Sequence, residues 1–592
     1  DRLLQRQEAR SVTLLDVYHA RVREAVVGAI DPERKRAHHA ALADALAKTA
    51  DFAEAHVEHL EAAGQIEQAA EVAVHAARAA DEIMAFERAA TLYATARQLA
   101  DAPRAVELLE QEATALRNAG RLRRAGQRLE EAARLTNDSR LVLEAGRYLL
   151  LAGDIDGGLK VLAPLLLEHD IQLAGGLEEI LAQAGQRLEA LRARGLVPTP
   201  RDVDARGRQR CELLLTLAHA LSHCDTRGIP FGFEALHAAL DIDDLPQLQR
   251  ALAVFVISTS AHMHTVLIEP ALKLCAQLTV GLGAYAQAML HAAEAEATHF
   301  TGQFLASESS FERAERLLVE SCVGATRELS TVRNGSVFMQ YAHKGDFASY
   351  VPRTVEWLRD AEAREDMFHT SMLRISHAIV WVAHDDPTKA RRELERGESD
   401  WSSADGLFEV AAVLYHDIVD RYLGREDAHL FPCQGRRHVL EGPAVNTSFL
   451  GGYIELHRAW GSLRALANGQ RSHGEEAMAE RAIQKMASLG AGIWEAVYLA
   501  FEANLLCLRR QIPEALSALE RSEHAFRRTN MLCLAATARH RRGELSSGTF
   551  GREIIRSADQ ELRALGVAQP LKWCRAYFSP FPAERARDMT LD

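Results

Sequence analysis

Turn signals punctuate this chain at nearly even intervals, and that spacing excludes most folds before any motif is considered. Early breaks fall at Gly64, Met84, Asp101, Gly120, Asn137 and Gly153. A segment with its turn takes about 18 residues, and a pair of segments about 36. The segments are rich in Ala and Leu and carry a helical period. In CELLLTLAHALSH, Leu214, Leu217, Ala218 and Leu221 fall at i, i+3, i+4 and i+7. Aromatic residues make up 6% of the chain and only 16 prolines occur in 592 residues, which favours helices over strands. No run of alternating β-branched residues is long enough to predict a strand.

A helical pair of this length approaches the 34-residue tetratricopeptide (TPR) period. In such repeats small residues at fixed offsets after the turn let paired helices approach, and a bulky residue between them fills the groove. GQFLASESSFERAERLL supplies Gly302, Phe311 and Ala314 in those places. GRLRRAGQRLEEAARL supplies Gly120, Ala125, Leu129 and Ala132, and MAFERAATLYATARQL supplies Met84, Ala89, Tyr93 and Ala96. Later turns, near Gly302, Gly345, Asp386, Gly424, Gly469 and Gln511, lie about 40 residues apart, as in divergent TPR-like arrays. Asp386-Pro387 and Ile512-Pro513 have helix-start chemistry. The expected fold is all-α: a TPR-like helical-repeat solenoid, wound as a right-handed superhelix, in which neighbouring pairs bury what each pair leaves open. Leu196–Arg210 reads as a linker, and the Gly/Pro-rich stretch Gly424–Gly452 as a long loop.

The chemistry is mostly excluded. Net charge is −13 and the pI near 6.1, which argues against a general nucleic-acid or acidic-membrane binder. The 8 cysteines are scattered without a C-x-x-C pair, so a reducing cytoplasm is expected and disulfides are not. No apolar run of about 18 residues predicts a membrane span. Only Lys48 precedes a Thr, in ALAKTA, where no glycine could build a phosphate-cradling loop. Kinase motifs and a G-x-S-x-G elbow are missing too. No enzyme activity, catalytic residue or cofactor is therefore expected.

The 25 histidines raise the question of a metal. His56 with His59, His262 with His264, and His223-Cys224-Asp225 are the candidates. None has the three or four converging ligands with recognisable spacing that zinc requires, so no metal site is predicted. A second pattern is an aromatic residue near a histidine: Tyr341 with His343, Trp381 with His384, Tyr415 with His416, and Tyr453 with His457. Where the first helices of repeats line a concave face, such residues suit a peptide or small-molecule groove. The other reading is that these aromatics fill gaps between helices.

The two ends of the chain carry a resemblance. YHARVREAVVGAIDPERKRAHHAALADAL resembles the end of the winged-helix region in STAND-type signalling ATPases. The likeness is to large bacterial proteins that join a serine/threonine kinase, an ATPase and a TPR tail. AEAHVEHLEAAGQIEQAAEVAVHAARAADEIMAFERAATLYATA looks like the first repeats after that ATPase. ATARHRRGELSSGTFGREIIRSADQELRALGVAQPLKWCRAYFSPF is similar to the C-terminal closure of the same proteins. The resemblance implies a winged-helix remnant over 1–50, a first TPR-like block over 51–195 and a linker over 196–210. Divergent repeats over 211–535 and C-terminal capping helices over 536–592 would follow. It implies a sensor or protein-interaction arm that binds a protein or ligand and controls an upstream ATPase in cis. A stand-alone TPR scaffold and a small-molecule-sensing superhelix are the other readings. By motif position His19 would be the winged-helix histidine that contacts nucleotide phosphates, although Ala20 stands where the family commonly has Asp.

Overall fold

A computed structural model describes residues 4–9, 12–17, 20–47, 52–222, 224–260, 266–338, 341, 344–399, 407–424, 448–469, 473–490 and 493–578. The chain forms two compact units, 1–145 and 146–592. The stretch read as a linker, 196–210, therefore lies inside the second unit. Its residues 196–204 are irregular and a helix begins at Ala205.

Unit 1 opens with a feature the sequence did not predict, an antiparallel hairpin of β1 (Leu4–Ala9) and β2 (Val12–Val17). Leu4 stands opposite Val17 and Ala9 opposite Val12. The first strand reads LQRQEA, which has no apolar alternation, so its pairing leaves no period-two signature in the sequence. Helices follow: α1 (Ala20–Ala29), α2 (Pro32–Leu46), α3 (Ala53–Ala62), α4 (Ile66–Glu82), α5 (Phe86–Leu99), α6 (Ala102–Asn118) and α7 (Leu122–Thr136). The division between units falls within α8 (Ser139–Leu151).

The turn residues take the left-handed conformation that ends a helix: Gly64 at φ +81°, Met84 at +59°, Gly120 at +77° and Asn137 at +54°. At the first three, the next amide reaches back to close the turn. Gln65 N lies 2.9 Å from Leu60 O, Ala85 N 2.8 Å from Ala80 O, and Arg121 N 2.8 Å from Leu116 O. Helices approach closely because the contacts are alanines. Ala69, Ala73, Ala77, Ala89, Ala96, Ala125 and Ala132 are all buried, with Tyr93 and Leu129 filling the grooves. Two ion pairs record the repeat directly. Arg88 Nε lies 2.5 Å from Glu54 and Arg121 Nε 2.5 Å from Glu87, each across 34 residues. That separation is the TPR period.

Unit 2 has two layers. After α9 (Ile155–Glu168) and α10 (Leu177–Arg194), the chain continues through α11 (Ala205–Leu221), α12 (Ile229–Ala239), α13 (Leu245–Ser260), α14 (Ile268–Thr279) and α15 (Ala284–Phe300). Then come α16 (Phe304–Ser321), α17 (Thr326–Phe338), α18 (Phe347–Arg364), α19 (Met367–Ala383), α20 (Pro387–Ser399) and α21 (Leu407–Tyr422). The last described helices are α22 (Ser448–Ala467), α23 (His473–Ser488), α24 (Ile493–Leu508), α25 (Ile512–Arg528), α26 (Leu532–Leu545), α27 (Gly548–Ala564) and α28 (Pro570–Tyr577). The loop expected over 424–452 lies mostly outside the described residues, and its end, from Ser448, is helical.

The inner helices are buried on every side. Leu213–Leu221 of α11, Ala251–Ser260 of α13 and Phe368–Val380 of α19 are unbroken runs of buried residues. The amphipathic stripe read for α11 thus understates its burial. The outer helices bury one stripe. In α25 the buried residues Ala515, Ala518, Leu519 and Ser522 fall at i, i+3, i+4 and i+7. Phe311 of α16 packs where a side chain on Gly335 of α17 would stand, only 2.4 Å from the built Cβ position. Asp386 caps α20, accepting from Lys389 N at 2.9 Å.

The C-terminal segment turns back onto earlier helices. Ala348 N bonds Leu565 O at 3.1 Å, and Ala568 N bonds Ala383 O at 2.8 Å. Lys572 Nζ reaches Asp385 at 3.0 Å, across 187 residues. Contact is so close that a Cβ on Gly345 (φ +70°) would fall 2.2 Å from Cys533 Cβ, so only glycine fits. Each unit is built of TPR-like helical repeats, preceded in unit 1 by the short hairpin.

Candidate functional site

The aromatic and histidine residues singled out in the sequence are placed unevenly. Tyr341 is 2% exposed, stacks on Phe347 at 5.8 Å, and shares a 2.5 Å hydrogen bond with Thr354 Oγ1. Tyr415, in α21, is buried, and Tyr453, in α22, meets Trp494 edge-on at 5.2 Å. Burial pushes all three phenols above their ordinary pKa. Trp381 is half-buried at the end of α19, with Lys389 Nζ 3.3 Å from its ring centre and the exposed His384 at 5.8 Å. His416 Nε2 lies 3.1 Å from Glu398. His343 and His19 fall outside the described residues, as do His223, His262 and His264.

His457 belongs to a buried charged cluster. Its Nδ1 meets the Asp417 carboxylate, which also pairs with Arg421, and Arg421 Nη2 lies 2.7 Å from the same nitrogen. Nδ1 can donate to Asp417 or accept from Arg421, but not both, so the tautomer selects the bond. Arg421 also stacks over Trp460, 4.2 Å from the ring centre. Burial opposes ionisation of Asp417, yet Arg421 and His457 outweigh it and hold the carboxyl below its usual range.

These residues converge beneath α28. That helix packs on α21, α26 and α27. Trp573 sets its ring 5.4 Å from Phe347 and 4.5 Å from Tyr577. Burial, reinforced by Cys533, Tyr415 and Tyr453, raises the Tyr577 phenol well above its ordinary pKa against the opposing charge of Arg421. The chain's own C-terminus therefore covers part of α21, which carries Tyr415, and reaches Tyr341 through Phe347.

Sequence reasoning passed over a second buried cluster. Tyr285 donates to Glu328 Oε1 at 2.8 Å, with His219 Nδ1 4.0 Å from the same oxygen. Arg327, 1% exposed, caps the end of α11 by donating to Ala220 O at 3.1 Å and Ser222 O at 3.3 Å. Its guanidinium lies 3.3 Å from the ring centre of Phe368. Beside this cluster opens a cavity of about 420 Å³, lined by Glu212, Asp244, Gln249, Arg250 and Tyr285. Its polar groups are spoken for: Glu212 binds Arg147 at 3.3 Å and also Arg250, and Gln249 donates to Ala286 O at 2.8 Å. The buried thiols are unreactive, with Cys211 and Cys275 pushed up to about 12 by burial.

Unit 1 has a more open groove of about 560 Å³, lined by Asp81, Tyr93, Glu107, Glu110 and Thr114 among others. Burial raises the Asp81 carboxyl against the opposing hydrogen bond from Tyr93. Glu110 binds Arg140 at 2.8 Å. On the metal candidates, His59 Nδ1 pairs with His39 Nδ1 at 3.1 Å while His56 is buried. Among the described residues no three His, Cys, Asp or Glu side chains are grouped to hold a metal ion. No described helix is long and apolar enough to cross a membrane.

Fold and surface together define a TPR-like helical-repeat protein. No protein-family profile matches the chain, and no curated protein matches it. Among solved structures it is similar to the APC/C hetero-tetramer Cut9–Hcn1, with a TM-score of 0.36 and 12% identity over 87% of this chain and 95% of that one. Yeast Tom70 gives a TM-score of 0.27 and 11% identity over 83% of this chain and 96% of that one.

Proposed function

We propose that this chain is the non-catalytic interaction arm of a STAND-type signalling regulator. It holds a protein partner on its helical-repeat surface and thereby controls an ATPase carried in the same polypeptide. The observation that supports an interaction role is the acidic groove of unit 1, set on a ladder of helix pairs locked at 34-residue intervals. Repeats of this kind present an extended surface rather than a convergent catalytic centre. Glu107 beside Tyr93 suits a peptide bearing a basic residue, with Asp81 bonded to Tyr93 and Glu110 paired with Arg140. For binding to act as a signal, the partner must prefer one conformation of the arm, because equal affinity for both shifts nothing.

The regulator reading is tested by the coding sequence that precedes Asp1. A nucleotide-binding loop encoded there, in frame, supports it. An initiator codon immediately before Asp1 contradicts it and leaves a stand-alone scaffold. The groove is tested separately by Glu107→Lys with Glu110→Lys, which should abolish capture of a basic-peptide partner and leave the fold unchanged.

A further inference from the structure

The fit of α28 over the inner face of unit 2 is uneven. On its buried side Trp573 lies 5.4 Å from Phe347, and Phe578, just past the helix, sits 5.9 Å from Phe501 and 6.2 Å from Phe526. On the other side Leu571 is 44% exposed, and Lys572 and Arg575 are exposed with it. The helix is a single layer laid over the inner helices. In the α21 face on which it packs, the Tyr415 hydroxyl and Arg421 Nε are buried with no protein hydrogen-bond partner among the described residues. The Tyr415 hydroxyl is thus buried at a cost that no protein acceptor among the described residues offsets. A helix of 8 residues has no stability of its own in water, so docking alone orders it.

We propose that this face is the partner-binding surface of unit 2 and that α28 is its resident, displaceable occupant. The competing ligand is a partner's short helix with two aromatic residues four positions apart, as Trp573 and Tyr577 are. The walls of the face are aromatic and select aromatic anchors. A ligand that also brings a hydrogen-bond acceptor to the Tyr415 hydroxyl satisfies a group that α28 does not. Because α28 is tethered, it competes at a high effective concentration, and only such a better-matched ligand displaces it. The inference rests on the interaction-arm reading, but its test does not share that reading's outcome.

The test uses the 592-residue chain carrying Trp573→Ala and a labelled synthetic peptide spanning Gln569–Phe578, followed by fluorescence anisotropy. The peptide should bind the variant at least about tenfold more tightly than the unsubstituted chain, since removing the resident anchor frees the face. A peptide with the same Trp573→Ala change should bind neither. Equal affinity for both chains, or no binding to a variant that keeps both unfolding transitions, overturns the proposal. Loss of the unit 2 transition in the variant overturns it too, because an occupant that cannot leave is part of the core. A negative result here leaves the interaction-arm reading to the upstream coding sequence.

Discussion

The ion pairs that record the repeat in unit 1 join residues 34 positions apart, Glu54 to Arg88 and Glu87 to Arg121. In unit 2, Lys572 reaches Asp385 across 187 residues, and Arg327 reaches the end of α11 across 107. Unit 1 is built by adding neighbours, with small alanine contacts, surface ion pairs and a buried carboxylate, Glu112, held by Arg97 and Arg128. Unit 2 uses the same turns and similar helix pairs, but it buries its inner helices on all sides and brings its C-terminus back over them. In the first arrangement stability is close to a sum over adjacent repeats. In the second, distant segments depend on one another, and charged groups such as Asp417, Arg421 and Glu328 are taken out of water to make the contacts. Breaking one buried partner there costs more than breaking an exposed pair.

The largest difference should come from core substitutions in unit 2. Trp460→Ala removes a side chain that is 0% exposed and stacked by Arg421, and should cost about 3–5 kcal/mol. Chemical denaturation should show the unit 2 transition moving to lower denaturant while that of unit 1 stays in place.

Acid should separate the units next. Burial lowers His219 and His377 to about 4, and lowers His369 well below its ordinary value. The unfolded chain binds these protons near pH 6.5 and the folded chain does not until about pH 4, so unit 2 loses stability as pH falls through that window. The limit is about 3 kcal/mol for each of His219 and His377. In unit 1 the histidine lowered by burial is the half-buried His39, so its transition should move less. Thermal melts from pH 7 to pH 4 read the difference, and His377→Leu should flatten the slope for unit 2.

A smaller effect is expected at the returning segment. Gly345→Ala places a Cβ against Cys533 at a left-handed backbone position and should destabilise unit 2 by about 1–3 kcal/mol. The smallest is at the ladder, where Arg88→Ala removes an exposed pair and should cost below about 1 kcal/mol. A loss in unit 1 as large as that from Trp460→Ala would erase the contrast between the units.

Much of this fold was legible because its turns are chemical events. Gly64, Gly120, Asn137 and Gly302 sit at positive φ where the sequence placed breaks, and Met84 does so despite its side chain. The groove-filling residues Tyr93, Leu129 and Phe311 are buried as the small/large pattern implied. The return of the C-terminus was not legible, since the contact of Gly345 with Cys533 leaves no periodic trace in either segment. Nor was the burial of Arg327 and Glu328. Charged residues in a helix read as its solvent face, and only the packing of α17 among α11, α15 and α19 reverses that. Tyr341 and Tyr415 could be read as lining a groove or as filling gaps between helices, and their burial agrees with the second reading.

Docking of α28 over the inner helices is read directly by amide hydrogen exchange. In the intact chain, amides of Trp573–Phe578 should exchange at least about tenfold more slowly than unstructured chain, yet faster than those of α24 and α26. Exchange of Trp573–Phe578 at the unstructured rate would contradict the account, because the inner face would then be open.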